Sequence, residues 1–517
     1  MPIASRCSAT NGCSRLRRRS VCCEGHSSNG STASHSIESN FPTARCDSSR
    51  RPEGIAAVRS KNAPTDVQTR VDPGIFKSYD VRGIYPTQIN EEVAYAIGRC
   101  FVPLLGAQRP RIAAGRDMRP SGETLAAAFA RGASDAGGDV VEIGMVSTDA
   151  LYFAVGKFGF DGGVMITASH NPAQYNGMKF TRAQAQAISL DTGLSVLREG
   201  LASGVLPPKN ANAGTISQRD ILDDFAQHCL SFIDPSKIKP LRIAVDAGNG
   251  MAGETIPHVF RFLPCDVVPL YFELDGSFPN HPASPIEPEN MIDLQAAVRK
   301  QRCDLGVAFD GDADRMFIVD EKGGLIDGST VTALVALNTL KTHPGSKILY
   351  NLICSRSVPE LIAKAGGVPV RSQVGHSIIK AIMREQDIVF GGEHSGHFYF
   401  RDNWYADSGM IALLSCLEVF SEAGRPVSEV IAPIDTRFRS GEMNTVVSDV
   451  AAKLAAIEAH YPDAQIDRLD GLSLAYPQWW MNVRPSNTEP LLRLNVEGDT
   501  PELMERHRDE ALALIRG

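Results

Sequence analysis

The sequence predicts an α/β protein made of three similar domains followed by a smaller α+β domain. An apolar strand that runs into a polar loop and then a helix occurs at 111–114, and the pattern recurs at 241–245 and 347–350, as in repeated α/β units. The C-terminal part mixes helical and strand patterns, with strands expected at 481–483 and 491–496. The 517 residues suit three or four domains of about 100–200 residues each.

Composition limits the classes of function. Hydrophobic residues make up 43% and charged residues 22% of the chain, as in an ordinary globular protein. The net charge of −8 argues against a nucleic-acid partner. No apolar run reaches the ~18 residues needed to cross a membrane, and no obligate protein partner is evident.

Five segments are expected along the chain. Charged and proline-containing stretches at 219–239 and 433–443 indicate two boundaries between domains. The expected segments are a disordered leader at 1–70, α/β domains I, II and III at 71–218, 219–323 and 324–436, and α+β domain IV at 437–517.

The leader has its own composition. Residues 1–60 hold nine arginines against four acidic residues and are rich in serine, which is typical of an organelle transit peptide. The serine content favours a plastid over a mitochondrion, so the expected location is the plastid stroma after leader removal, and otherwise the cytoplasm. A basic tail without any address is the competing interpretation.

Domain I leads to the first polar loop. Helices are expected at 91–105 and 123–136, a further strand at 140–143, and a buried strand at 164–166. The last strand ends in Thr-Ala-Ser-His-Asn-Pro at 167–172, which places Ser169 at the carboxyl end of a strand, where open α/β sheets bind ligands. His170 and Lys179 lie close enough in sequence to assist its hydroxyl. The loop alone is equally compatible with a polar turn.

The second loop carries three carboxylates. Asp310, Asp312 and Asp314 follow a buried strand, and such a group repels itself unless a cation neutralises it. Hard oxygen ligands suit Mg²⁺. An EF-hand is rejected because Arg315 stands where that loop needs glycine and because strands, not helices, flank it. Arg315 is in turn suited to binding a phosphate oxygen.

Two further loops combine donors and acceptors. Residues 391–397 supply a carboxylate, a hydroxyl and two imidazoles, a mixture that suits a sugar, and His376 lies upstream. Residues 484–490 supply a guanidinium and three further side-chain donors in a turn, the makeup of a phosphate cradle. A plain hairpin turn is the alternative for this last loop.

In this order, the four loops resemble those of the α-D-phosphohexomutase superfamily, and most closely its bacterial-type phosphomannomutases/phosphoglucomutases. The resemblance extends from about residue 76 to the C-terminus. The segments 167–172, 310–315, 392–397 and 484–488 are similar to the family's phosphoserine, Mg²⁺, sugar and phosphate loops. It implies three α/β domains with mixed sheets and a TATA-box-binding-protein-like domain IV around a central cleft.

The resemblance also implies the chemistry. Phosphorylated Ser169 would pass its phosphoryl group to a hexose monophosphate, and the resulting hexose 1,6-bisphosphate would turn over and return its other phosphate. The implied metal ligands for one Mg²⁺ are Ser169, Asp310, Asp312 and Asp314. The implied catalytic residues are Ser169, Lys179, Arg82, Arg315, His376 and His397, with the proton carrier left open among Lys179, His376 and His397. The implied substrate-binding residues are Tyr79, His170, Glu393, Ser395, Arg484, Ser486, Asn487 and Thr488.

Three other functions compete with this interpretation. A phosphoglucosamine mutase would use the same residues, whereas a metal-dependent sugar phosphatase would lose the phosphoserine to water. A sugar-phosphate binder without activity should lack the serine or the metal ligands, which this chain has.

Overall fold

Four β-sheets follow one another along the chain, and the first three share one arrangement of strands. The computed structural model describes residues 71–486 and 491–517. The predicted leader at 1–70 and the predicted phosphate ligands Asn487 and Thr488 lie outside the described residues.

Domain I is a mixed sheet with the strand order β1-β5-β4-β2-β3-β7, in which β6 pairs with β5. Its strands are β1 Val81–Ile84, β2 Arg111–Arg116, β3 Asp139–Met145, β4 Gly162–Ile166, β5 Tyr175–Arg182, β6 Gln186–Ala187 and β7 Ile216–Gln218. Its helices are α1 Glu91–Leu104, α2 Gly122–Asp135, α3 Thr148–Lys157 and α4 Leu194–Ala202. The expected first helix begins where the Asn90 side chain accepts a 3.0 Å hydrogen bond from the Val93 N–H, as an N-cap residue does.

Domain II has five strands in the order β12-β11-β10-β8-β9. Its strands are β8 Arg242–Asp246, β9 Asp266–Leu270, β10 Leu305–Phe309, β11 Met316–Asp320 and β12 Leu325–Ile326. Its helices are α5 Leu222–Leu230, α6 Ala252–Phe260 and α7 Ile292–Gln301. The last strand lies beyond residue 323, the expected end of this domain. Strands on both sides of the acidic loop agree with the rejection of an EF-hand.

Domain III repeats the arrangement with the order β14-β13-β15-β16-β17. Its strands are β13 Lys347–Asn351, β14 Val368–Ser372, β15 Phe390–Gly392, β16 Phe398–Phe400 and β17 Ala406–Asp407. Its helices are α8 Gly328–Thr342, α9 Ser357–Lys364, α10 His376–Gln386, α11 Gly409–Ala423 and α12 Val427–Ile431.

Domain IV is an antiparallel sheet with the order β18-β23-β22-β21-β20, in which β19 also pairs with β23. Its strands are β18 Phe438–Arg439, β19 Met443–Val446, β20 Gln465–Asp467, β21 Leu472–Ala475, β22 Trp479–Pro485 and β23 Leu491–Gly498. Its helices are α13 Val450–His460 and α14 Pro501–Arg516. The expected fold class, three α/β domains with mixed sheets and a C-terminal α+β domain, is confirmed.

The repeated arrangement explains where the polar loops lie. In domains I, II and III a central strand (β2, β8 or β13) is parallel to both neighbours, and the third parallel strand turns back into an antiparallel one. The three central strands are the ones that the repeated sequence pattern predicts. The turns β4–β5, β10–β11 and β15–β16 carry the first three polar loops, and the hairpin β22–β23 carries the fourth.

Domains I, II and III share one apolar core, and domain IV has a core of its own. One cluster of buried apolar side chains includes Phe153 of domain I, Val245 of domain II and Leu413 of domain III. Domain IV has its own cluster around Met481 and Val483. The stretch 219–239, predicted as a boundary, contains α5, whose Phe225 packs on Phe153. Among the described residues, no helix combines the length and apolarity that a membrane span requires.

Candidate active site

The four loops border one cleft with a volume of about 1060 Å³. Asp310 and Asp312 are fully buried beneath its surface. The predicted site residues that line the cleft are Tyr79, Arg82, Ser169, His170, Lys179, Asp314, Arg315, His376, Glu393, Ser395, His397 and Arg484.

Ser169 sits at the turn between β4 and β5 in a left-handed backbone conformation, with φ of 50°. A residue with a side chain adopts this conformation only when its surroundings enforce it. The Ser169 N–H donates to Thr167 Oγ1 at 2.9 Å, and the Ser169 hydroxyl donates to Asp310 Oδ2 at 2.8 Å. His170 Nδ1 lies 3.2 Å from the same hydroxyl. The loop therefore holds the hydroxyl against the acidic residues of domain II.

Arg119 supports this loop from below, and the sequence analysis did not identify it as a site residue. Its side chain is 1% exposed, and its Nε lies 3.3 Å from Asp117 Oδ2. The guanidinium donates to the carbonyl oxygens of Ser169 at 2.9 Å, Asn171 at 2.6 Å, Pro172 at 2.9 Å and Tyr175 at 2.9 Å. One buried cation thus fixes the backbone of the whole serine loop.

Lys179 binds two of the three aspartates. Its Nζ donates to Asp312 Oδ2 at 2.7 Å and to Asp314 Oδ2 at 2.6 Å. Burial lowers the pKa of Lys179, but the two carboxylates outweigh burial and hold that pKa well above its usual value. Burial and the charges of Asp314 and Asp312 raise the pKa of Asp310 well above its usual range. Both shifts reflect one cluster, in which three buried carboxylates share Lys179 and the nearby Arg315.

The aspartates fit a divalent cation. One oxygen from each of Asp310, Asp312 and Asp314 lies within 4.8 Å of the others. Asp312 Oδ1 and Asp314 Oδ1 are buried and have no hydrogen-bond donor among the described residues, a costly arrangement for a carboxylate. All three candidate metal ligands are carboxylate oxygens, the ligands that Mg²⁺ prefers.

Arg315 connects the acidic loop to the sugar loop. Its N–H donates to Asp310 Oδ1 at 3.1 Å, and its Nε–H donates to His397 Nε2 at 3.2 Å. Burial and the neighbouring Arg315 hold the pKa of His397 well below its usual value, which agrees with a neutral ring that accepts from Arg315. His397 Nδ1 lies 3.2 Å from Ser395 Oγ.

Glu393 is presented to the cleft by two groups that the sequence analysis missed. Asn351 Nδ2 donates to Glu393 Oε2 at 2.9 Å, and the Tyr399 hydroxyl donates to Glu393 Oε1. Burial raises the pKa of Glu393. Its fixed carboxylate is suited to accepting hydrogen bonds from vicinal hydroxyl groups.

Residues of domains I and III meet at the cleft through Tyr79 and His376. The ring centroids of Tyr79 and His376 are 4.9 Å apart, and those of His376 and His397 are 6.3 Å apart. Burial and the charge of Lys380 hold the pKa of His376 well below its usual value. Arg82 donates to Asn171 in the serine loop and pairs with Asp80. The structure thus brings Tyr79, Arg82 and His376 to the same cleft.

Arg484, which belongs to the fourth loop, also lines the cleft. Its NH2 donates to Glu442 Oε2 at 2.9 Å, an acidic partner that the sequence analysis did not identify. The Ser486 N–H donates to the Leu491 carbonyl at 2.9 Å and closes the β22–β23 hairpin.

A serine beside an acidic cation site, in a cleft that also offers sugar and phosphate ligands, defines a phosphoryl-transfer enzyme.

Comparisons with known proteins agree with this class. The four domain profiles of the phosphoglucomutase/phosphomannomutase family match in order, as alpha/beta/alpha domains I, II and III at 73–199, 222–324 and 327–437 and as the C-terminal domain at 442–514. The chain belongs to this family.

Individual relatives are similar over nearly their whole length. A phosphomannomutase from Salmonella montevideo is 42% identical over 85% of this chain and 98% of its own. A phosphomannomutase/phosphoglucomutase from Pseudomonas aeruginosa is 38% identical over 84% of this chain and 93% of its own. The crystal structure of a phosphoglucomutase/phosphomannomutase family protein from Burkholderia thailandensis superposes with a TM-score of 0.79 at 31% identity, covering 86% of this chain and 98% of the other.

Proposed function

We propose that the protein interconverts hexose 1-phosphates and hexose 6-phosphates, of mannose, glucose or both, through a phosphoserine at Ser169 and a hexose 1,6-bisphosphate intermediate that also acts as activator. One observation carries the proposal. The Ser169 hydroxyl lies 2.8 Å from Asp310, within an acidic cation site, in the cleft that also holds Glu393 and Arg484.

In the first half-reaction, a sugar hydroxyl attacks the phosphorus on Ser169. The new sugar O–P bond forms as the Ser169 Oγ–P bond breaks, and the hydroxyl proton passes to a base. Lys179, His376 and His397 are the candidates: burial lowers the pKa of both imidazoles, which favours their neutral form, and two carboxylates raise the pKa of Lys179, which favours its charged form. Arg82, Lys179 and Arg315 offset the negative charge of the transferring group.

The acidic loop supplies the cation site. Asp310, Asp312 and Asp314, with a phosphoserine oxygen, would hold one Mg²⁺, which offsets charge on the transferring phosphoryl group when bound. Asp312 and Asp314 each have a buried oxygen without a donor among the described residues, which supports this assignment. Lys179 Nζ pairs with both of these acids.

The remaining residues hold the sugar and the phosphate that does not react. Glu393 and Ser395 bind ring hydroxyls, and His170 and Tyr79 line the same cleft. Arg484, Ser486, Asn487 and Thr488 grip the distal phosphate. After the first transfer, the bisphosphate turns so that its other phosphate faces Ser169, and the second half-reaction runs in reverse.

The substrate assay tests the proposal directly. The full chain with Mg²⁺ and a trace of glucose 1,6-bisphosphate is incubated separately with mannose 1-phosphate, glucose 1-phosphate and glucosamine 1-phosphate, and the 6-phosphates are measured. We expect mannose 6-phosphate, glucose 6-phosphate or both. Preferred turnover of glucosamine 1-phosphate would identify a phosphoglucosamine mutase, and release of inorganic phosphate without isomerisation would identify a phosphatase.

We further propose that the leader at 1–70 is a plastid transit peptide. Its arginine and serine content supports this, as does the start of the first family match at residue 73. Residues 1–70 fused to a fluorescent protein should accumulate in plastids of transformed plant cells, and accumulation in the cytosol would contradict the proposal.

A further inference from the structure

Glu442 lies between two arginines at the phosphate end of the cleft. Its Oε2 pairs with Arg484 NH2 at 2.9 Å, and its Oε1 pairs with Arg493 NH1 at 2.7 Å. His394 Nε2 of the sugar loop is 3.9 Å from the same Oε2. The Glu442 side chain is 15% exposed. One carboxylate therefore spans two guanidinium groups where domains III and IV meet.

A phosphate group can bind the same two guanidiniums that Glu442 binds. Two guanidiniums bind two oxygens of a single anion through charge-assisted hydrogen bonds. The Nε atoms of Arg484 and Arg493 are buried and have no hydrogen-bond acceptor within the described part of the chain, so Glu442 alone does not saturate either guanidinium. A phosphate that approaches Arg484 NH2 and Arg493 NH1 meets the Glu442 carboxylate already bound there, and two anions so close together repel.

We propose that the Glu442 carboxylate competes with the substrate's phosphate for Arg484 and Arg493. In the free enzyme Glu442 pairs with both arginines. When the sugar phosphate binds, its phosphate replaces Glu442 on them. This inference rests on the proposed function of the fourth loop as the site of the non-reacting phosphate. The exchange lowers affinity, because each binding event must first break two ion pairs.

The exchange also eases release. In the proposed reaction the bisphosphate must leave the arginines in order to turn around. Leaving two partly buried guanidiniums without an anion is costly, and the return of Glu442 removes that cost. Glu442 would thus reduce the tightness of phosphate binding in favour of turnover, without touching the reacting phosphoryl group.

Binding of inorganic phosphate to the full chain, measured by calorimetry, tests the competition. Glu442→Gln keeps the size of the side chain and removes its charge, and we expect its Kd for phosphate to fall by roughly five-fold or more. Glu442→Ala should shift in the same direction and serves as a second variant if one of them folds poorly. Glu458→Gln is the matched control, because it removes the same charge from an ion pair with Arg468 of 2.7 Å on the exposed face of domain IV.

The tighter phosphate binding of the Glu442 variants should depend on Arg484. Adding Arg484→Met to Glu442→Gln should abolish the tighter binding. An unchanged or raised Kd in both Glu442 variants would overturn the proposal and would assign Glu442 to holding Arg484 in position. Mutase assays separate this failure from that of the proposed function: an active wild-type enzyme whose KM for glucose 1-phosphate does not fall in Glu442→Gln contradicts the competition alone, whereas a wild-type enzyme without mutase activity contradicts the proposed function.

Discussion

The Ser169 hydroxyl donates a 2.8 Å hydrogen bond to Asp310 Oδ2, which lies 141 residues further along the chain. The two residues belong to hairpin turns of different domains, β4–β5 and β10–β11. The hydroxyl and the acidic residues become neighbours only when domains I and II pack together, as the shared apolar core makes them do. The nucleophile and its cation site are therefore a product of domain packing.

Arg119 is expected to act as a positioning residue. Replacing it with methionine removes the donors to four carbonyl oxygens of the serine loop, and we expect kcat to fall by roughly 100-fold with a smaller change in KM. In Arg119→Ala, whose short side chain leaves room at this buried position, ethylguanidinium added to the assay should restore part of kcat. Arg109→Met, which breaks an exposed ion pair of 2.8 Å on the same domain, is the control, and equal losses in both variants would contradict the role.

Divalent cations are expected to stabilise the folded chain. Among the described residues, one buried oxygen each of Asp312 and Asp314 has no donor. We therefore expect Mg²⁺ to raise the Tm, with a gain in the free energy of unfolding of about 2.7 kcal/mol at ~100 times its Kd. Chelation should remove both this increase and the mutase activity. Asp312→Asn should lose the Mg²⁺-dependent rise in Tm. A rise of equal size in that variant would place the cation elsewhere.

Tyr399 is expected to hold Glu393 for the sugar. Tyr399→Phe removes one of the two donors to a buried carboxylate, so we expect KM for the hexose phosphate to rise by roughly ten-fold, with less effect on kcat. Tyr405→Phe removes an exposed hydroxyl that donates to Asp387 at 3.0 Å and is the matched control. Steady-state kinetics in both directions would show the split, and an effect on kcat alone would contradict it.

Asp149 is expected to make stability depend on pH. Burial raises the pKa of its carboxyl to about 7, where it accepts a 2.6 Å hydrogen bond from Ser408. From about pH 4 to about pH 7 the folded chain keeps a proton here that the unfolded chain releases, so the free energy of unfolding falls as pH rises, by up to ~1.4 kcal/mol per pH unit. Asp149→Asn removes this loss.

The measurement for Asp149 is the difference in Tm between the variant and the wild type. This difference should grow in favour of the variant between about pH 4 and about pH 7 and level off above that range. Parallel pH profiles for the two proteins would show that the carboxyl does not titrate in this range.

The strand ends could be predicted because their signal is local. An apolar run followed by a polar loop marks the carboxyl end of a buried strand, and this was enough to select Ser169, Asp310 and Glu393 as separate candidates. Their expected place in one cleft came from the resemblance to a known family. Helix α5 was missed because Asp223 and Asp224 give its segment the charge of a linker, although one face of the helix, with Phe225, is buried.

Other site residues could not be predicted because their roles depend on distant contacts. Arg119 lies in a polar loop, and nothing in its neighbours shows that its guanidinium is buried under a loop 50 residues away. Asn351 meets Glu393 only through the pairing of β13 with β15. Glu442 contacts Arg493 only because β19 pairs with β23, where Asn444, two residues after Glu442, lies opposite Arg493.

Mapping of the phosphorylated residue tests the central claim most directly. The full chain is incubated with Mg²⁺ and glucose 1,6-bisphosphate, digested, and analysed by mass spectrometry for phosphopeptides. We expect phosphate on Ser169. That phosphate should be lost when the phosphorylated protein is incubated with excess glucose 1-phosphate in the absence of free bisphosphate. Ser169→Ala should give neither a phosphopeptide nor mutase activity. Phosphate on another residue, or near wild-type mutase activity in Ser169→Ala, would contradict the account.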